Sequence, residues 1–254
     1  MRAPSFFPDL VREPHPVAAA ATAGYLSAVD GMLPGFVAGF HVLGSAALDD
    51  FVPGRCDLDF VAVLSRRPDA GELDRLAELH GRMSSAGGPA LDGIYVAGPD
   101  RIEPEAEGPS VREGRFEPRS RHRRRPVDRL ALAEHALTLR GQAPPWRDVP
   151  ELDGWALAAF DVLRESAGSM EVDEAVLGAC RLHYLLAVRR IPSKSEAGLY
   201  GLIAFEERWR RIVDEALRMR REPRAPTLYA DRDERRRDAL AFVGVAAEDG
   251  LSLA

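Results

Sequence analysis

FVAGFHVLGSAALDDFVPGRCDLDFVAVL, residues Phe36–Leu64, holds two short apolar runs joined by a polar loop. The runs, Phe36–Leu43 and Leu58–Leu64, are rich in aromatic and β-branched residues, a composition and length that predict strands rather than helices. Asp57 stands at the mouth of the second run and Asp59 just inside it. Residues i and i+2 of a strand point to the same face, so the two carboxylates project side by side. They repel each other unless a cation lies between them, and oxygen-only ligation suits Mg2+ best. Gly44-Ser45, at the exit of the first run, offers backbone N–H groups and a hydroxyl with no bulky side chain in the way. Such a turn suits a phosphate.

With 254 residues the chain has room for two modest domains and a proper core. Its 46% hydrophobic and 29% charged residues are those of a soluble globular protein. A net charge of −6 argues against nucleic-acid binding through a broad basic surface. No apolar run is long enough for a membrane span. The N-terminal MRAPSFFPDLVREPHP is interrupted by Pro8 and Asp9 and does not read as a signal peptide. Cys56 and Cys180 are far apart and neither forms a Cys-x-x-Cys pair, so a disulfide framework or zinc site is unsupported and a reducing cytoplasm fits.

Along the chain, Pro16 to about Met32 predicts an Ala-rich helix with proline in its first turn, and Asp69–Ser85 predicts a second helix capped by Asp69. Leu91–Ala97 predicts a third strand with Asp92 near its start. Gly98–Arg125, with four prolines and no steady periodicity, reads as a loop and the domain boundary. Its end, RSRHRRRP (Arg119–Pro126), reads either as a solvated basic face or as a face toward phosphates. Helices are expected over 127–141, Leu152–Ser166, about Val172–Arg190, about Lys194–Arg221 and about Asp231–Glu248, which imply a bundle. Arg181 sits on an otherwise apolar helix, where an unpartnered charge is costly, so it is expected to meet an anion. Lys194, thirteen residues later, is the only lysine among 34 basic residues and lies at a helix start, inside a Ser193…Glu196 capping box.

The order strand, Gly-Ser, eleven residues, Asp-Leu-Asp, strand resembles the nucleotidyltransferase superfamily of the DNA polymerase β type. The helical tail is similar to that of the aminoglycoside adenylyltransferases that modify streptomycin and spectinomycin, and the likeness spans about residues 20–245. The resemblance implies an α+β fold: a nucleotidyltransferase domain with a mixed sheet over residues 1–125 and an α-helical bundle over 126–254. It implies transfer of AMP from MgATP to a hydroxyl of a small acceptor, such as an aminoglycoside, in an interdomain cleft, by a cytoplasmic monomer. It also implies that Asp57, Asp59 and Asp92 bind two Mg2+ ions, with Asp92 also a candidate catalytic base. Gly44, Ser45, Arg181, Lys194 and Tyr229 are then the nucleotide contacts.

Three features depart from the family pattern. Asp92 stands where the family has Glu; Phe116 is the only candidate for an interdomain-loop aromatic; and Glu171, Asp173 or Glu174 would be the acid preceding Arg181. Two other functional readings remain: a nucleotide-binding regulatory or toxin-system module, and a transferase acting on a protein or metabolite.

Overall fold

The structure, a computed structural model, describes residues 13–97, 102–103, 106–143 and 152–254. The N-terminal stretch 1–12 and residues 98–101 and 104–105 of the expected loop lie outside the described residues. The chain divides into two compact units. The first takes the described residues of Met1–Arg101, Ala106–Arg123 and His135–Pro144; the second takes those of Ile102–Glu105, Arg124–Glu134 and Pro145–Ala254.

The first unit is a six-stranded mixed sheet backed by helices. Helix α1 is Pro16–Met32, β1 is Val37–Val42, the short α2 is Gly44–Ala47, β2 is Leu58–Leu64, α3 is Ala70–Ala86 and β3 is Leu91–Ala97. Strands β4 (Gly108–Arg112) and β5 (Arg115–Ser120) form a hairpin, and β6 is Leu137–Arg140. The strand order is β5-β4-β3-β2-β1-β6, and β2 and β3 run parallel, joined through α3. The helix starts are those expected from sequence: proline occupies the first turn of α1, and Asp69 and Glu72 form a reciprocal capping box on α3.

Two expectations fail here. The region read as a loop carries the β4–β5 hairpin, whose turn places Glu113 at φ 49° and Gly114 at φ 80°. Two successive left-handed residues give the primed turn whose twist matches antiparallel strands; an Asn-Gly turn would have advertised the hairpin, whereas Glu-Gly is a weak signal. The helix expected over 127–141 stops at His135, and Leu137–Arg140 pairs antiparallel with β1. The pairing covers an edge that would otherwise expose a row of backbone donors and acceptors. Arg140 secures it with a bidentate bond to Asp30 of α1, at 2.6 and 2.7 Å.

Even-numbered residues of β2 (Leu58, Phe60, Ala62, Leu64) join Tyr25 and Val29 of α1 and Leu76 and Leu79 of α3 in the core. Phe40 and Phe60 stack at 5.2 Å, and Phe116 packs against His80 and Tyr95 within the same unit. A buried polar chain crosses this core: Tyr25 Oη is 2.7 Å from Tyr95 Oη, which is 2.6 Å from His80 Nε2. His41 is also buried and bonds Thr138 of β6 at 3.1 Å.

Burial pushes both imidazoles from 6.5 down to about 4, because an imidazolium there would lose its hydration. A lowered folded value means that the unfolded chain binds more protons between pH 6.5 and 4. The stability carried by the neutral rings is therefore complete above pH 6.5 and lost as pH falls through 4. The loss should be on the order of 3 kcal/mol per histidine, read by chemical denaturation of the first unit at pH 7, 5.5 and 4. A flat profile would show that these rings accept protons inside the fold.

The second unit is helical: α4 (Pro126–His135), α5 (Asp153–Ser166), α6 (Val172–Val188), α7 (Lys194–Ala204), α8 (Arg210–Arg221) and α9 (Arg232–Leu251). The single helix expected over 194–221 is broken: α7 ends at Phe205 and a 3-10 turn, Glu207–Trp209, precedes α8. The break lets Phe205 and Trp209 both pack edge-on against Phe242 of α9, at 5.0 and 5.9 Å. Among the described residues no helix is long and apolar enough to cross a membrane.

Candidate active site

The sheet turns its odd-numbered β2 residues away from the helix-covered core, and Asp57 and Asp59 lead that face. The parallel register sets Asp59 directly beside Asp92 on β3. Two residues that lie 33 apart in sequence thereby bring their carboxylates to one face, and Asp57 joins them from the strand mouth. The proximity registers electrostatically. Asp57 has its pKa raised, first by burial and then by the charges of Asp92 and Asp59, with Arg123 opposing.

Gly44 belongs to the same cluster. At φ 59° it opens α2, and a side chain there would meet the Asp59 carboxylate, since an ideal Cβ falls 1.6 Å from Asp59 Oδ2. Only glycine both adopts the left-handed conformation and admits that carboxylate. Ser45 follows at half-buried depth, and its carbonyl accepts from Asp50 N at 2.9 Å.

The cation at these acids comes from an unexpected place. Arg123, just after β5, donates Nε to Asp92 Oδ1 and Nη2 to Asp59 Oδ1. His122 Nε2 lies 2.8 Å from the same Asp92 oxygen, and Glu113 N donates to Asp92 Oδ2 at 3.3 Å. Burial raises the pKa of Asp92, but His122 and Arg123 outweigh it and hold the carboxyl well below the usual range. Three other arginines of the run serve other anions: Arg119 and Arg121 reach Glu107, and Arg125 pairs with Asp128. The run was legible as a charge cluster, but the carboxylate partners of His122 and Arg123 were not.

The donor set of Asp57, Asp59 and Asp92 consists of hard carboxylate oxygens, two of them side by side in the strand register, so these residues fit a divalent cation such as Mg2+ in chemistry. Among the described residues no three such side chains are gathered around a point that could hold an ion.

The second unit holds the remaining predicted residues. Ser193 and Glu196 cap α7 reciprocally, as expected. Lys194 pairs with Glu174 of α6, and Arg181, half-buried on α6, donates Nε to the Pro192 carbonyl at 3.3 Å. Of the three acids proposed to precede Arg181, Glu174 therefore serves Lys194, Asp173 is buried and Glu171 is exposed at the start of α6. Tyr229 is buried, its hydroxyl donates to Asp238 Oδ2 at 2.7 Å, and Arg211 stacks on its ring at 3.8 Å. Burial, followed by Asp238, raises its pKa. Phe116, the only candidate for an acceptor-binding aromatic, belongs to the first unit's core.

No family model matches the chain, and no curated sequence is significantly similar to it. Among solved structures, the chain is similar to spectinomycin adenyltransferase AAD(9) from Enterococcus faecialis, determined with ATP and spectinomycin. The superposition has a TM-score of 0.71 at 12% sequence identity and covers 91% of this chain and 99% of that one. The α+β fold of that structure is thus shared, although few residues are.

Proposed function

We propose that this protein is a nucleotidyltransferase that moves AMP from ATP to a hydroxyl of a small acceptor, with Mg2+ as the cofactor. The observation that carries this reading is the register of Asp59 beside Asp92, with Asp57 two residues upstream and the Gly44-Ser45 turn against Asp59. The fold shared with an adenyltransferase solved with ATP and spectinomycin supports it, and makes an aminocyclitol or aminoglycoside the acceptor to try first.

In this reading Asp57 and Asp59, with Asp92 beside them, would hold the metal, which when bound would supply charge neutralisation for the triphosphate. Gly44 N–H and the Ser45 hydroxyl bind phosphate oxygens. The acceptor oxygen forms a bond to the α-phosphorus, the α–β bridge bond breaks, and pyrophosphate leaves. Asp92 either completes the metal site or accepts the hydroxyl proton, and the second role requires its release from both His122 and Arg123, which hold its carboxyl well below the usual range. Arg181 and Lys194 are proposed as the second unit's phosphate-binding residues. Tyr229 is left out, because its hydroxyl is already committed to Asp238.

Pyrophosphate release from labelled ATP, Mg2+ and an aminoglycoside panel tests the activity. Nucleotide binding without turnover for any acceptor would favour the regulatory reading, to which the Arg123 bridge between the carboxylates also lends support.

Lys194→Ala should weaken ATP binding by about 1.5–3 kcal/mol, the range for hydrogen bonds to charged groups. Lys194→Arg should also weaken it, because a planar fork replaces a compact ammonium. The melting temperature of the nucleotide-free protein should barely move, since the Lys194–Glu174 pair is partly exposed. Calorimetry on the three proteins at fixed Mg2+ measures this, and unchanged affinity in Lys194→Ala would remove Lys194 from the site.

A further inference from the structure

We infer that Arg123 is a resident counter-cation at the acidic centre, and that a divalent metal must displace it in order to bind. The inference rests on reading Asp57, Asp59 and Asp92 as metal-binding residues.

The oxygens themselves carry the inference. Arg123 bonds Oδ1 of both Asp59 and Asp92. Of the second oxygens, Asp92 Oδ2 accepts from Glu113 N, and Asp59 Oδ2 lies where a side chain on Gly44 would fall. A cation bridging the facing Oδ1 atoms of Asp59 and Asp92 takes the place that the guanidinium holds, and two cations crowded there repel each other. The charge balance favours exchange. One guanidinium faces three carboxylates, and Asp57 has no hydrogen bond or ion pair to its carboxylate among the described residues. A divalent ion compensates this excess negative charge better than a monovalent fork.

The backbone is arranged for such a change. Arg123 sits at φ 50°, a left-handed conformation that costs a non-glycine residue free energy and persists where its surroundings enforce it. The preceding residue is anchored, since His122 N donates to Ser120 Oγ at 3.0 Å and its ring bonds Asp92. Three neighbouring arginines are committed to other acids, Arg119 and Arg121 to Glu107 and Arg125 to Asp128. In the metal-free protein the bridge keeps the carboxylates from repelling one another; the loaded protein dispenses with it.

Mn2+ binding to the full chain, followed by the electron paramagnetic resonance of the free ion, tests the exchange. Arg123→Ala and Arg123→Gln should each bind Mn2+ at least about tenfold more tightly than wild type, and should melt lower without metal. Equal or weaker Mn2+ binding by a folded variant overturns the inference. A second readout needs no substitution: arginine modification by phenylglyoxal, mapped by mass spectrometry, should increase at Arg123 when Mn2+ is added to wild type. Unchanged labelling with Mn2+ bound overturns it as well. Asp59→Asn separates the two levels. If wild type binds Mn2+ and Asp59→Asn does not, while Arg123→Ala equals wild type, the exchange alone is wrong. If Asp59→Asn binds Mn2+ as wild type does, the metal reading fails and the exchange with it.

Discussion

Asp57→Asn and Asp59→Asn are each expected to lower Mg2+-dependent turnover by about a thousandfold or more, the scale on which loss of preorganised electrostatic stabilisation is felt, yet to shift stability in opposite directions. Sequence alone suggests that both substitutions relieve repulsion between neighbouring carboxylates. The structure corrects this for Asp59, which is held by the Arg123 guanidinium. Removing its charge weakens a charge-assisted bond in a half-buried site and should cost about 1–3 kcal/mol. Asp57 has the raised pKa of a group whose charge is disfavoured by burial and by Asp92 and Asp59. Its amide should therefore fold at least as stably as wild type at neutral pH. The sign follows from linkage: a carboxyl with a raised folded pKa loses stability as pH rises through that value, and Asp57→Asn removes the loss. Turnover assays and thermal melts of the two variants, without added metal, decide the matter. Full turnover in both would dismiss the carboxylate assignment, and a common direction in the melts would contradict the unequal environments of the two acids.

The largest effect on folding is expected at Glu215, which the sequence did not single out. Its side chain is fully buried on α8 and accepts from Arg218 at 2.8 and 2.9 Å, Thr227 Oγ1 at 2.7 Å, Leu228 N at 2.9 Å and Arg235 at 3.1 Å. One carboxylate thus ties α8 to the 227–228 turn and to α9. Glu215→Ala leaves two guanidinium groups facing a buried gap and should destabilise the second unit by about 3–5 kcal/mol, as when one partner of a buried ion pair is removed. Burial alone would raise the Glu215 pKa, but Arg218, the Leu228 amide, Thr227 and Arg235 bring it down to about 2. A depressed folded value means that this support is present above pH 4.5 and lost as pH falls through 2, below the window in which His41 and His80 act. Hydrogen exchange on α8 and α9 would register the substitution locally, and protection like that of wild type would show that the cluster is not a keystone of the unit.

Features encoded within a few residues were legible before any coordinates. The Asp69 cap, the Ser193–Glu196 capping box, the Leu58–Leu64 strand with Asp57 and Asp59 on one face, and the Gly44-Ser45…Asp57-Leu-Asp59 spacing are all short-range, because capping and strand pleat act over two to four residues. What lay far apart in the chain was decided by the tertiary structure alone. That β6 leaves the helical run to pair with β1, that Arg123 reaches Asp59 across 64 positions, and that Tyr229 turns to Asp238 all depend on which strands and helices become neighbours. Hydrophobic periodicity states which face is buried, whereas a charge in a sequence carries no direction and its partner is whichever opposite charge the topology brings within reach. The three aspartates were therefore identifiable from spacing and resemblance, and the cation that holds two of them became visible only once β5 had returned beside β4 and delivered residues 122 and 123 to the acidic face.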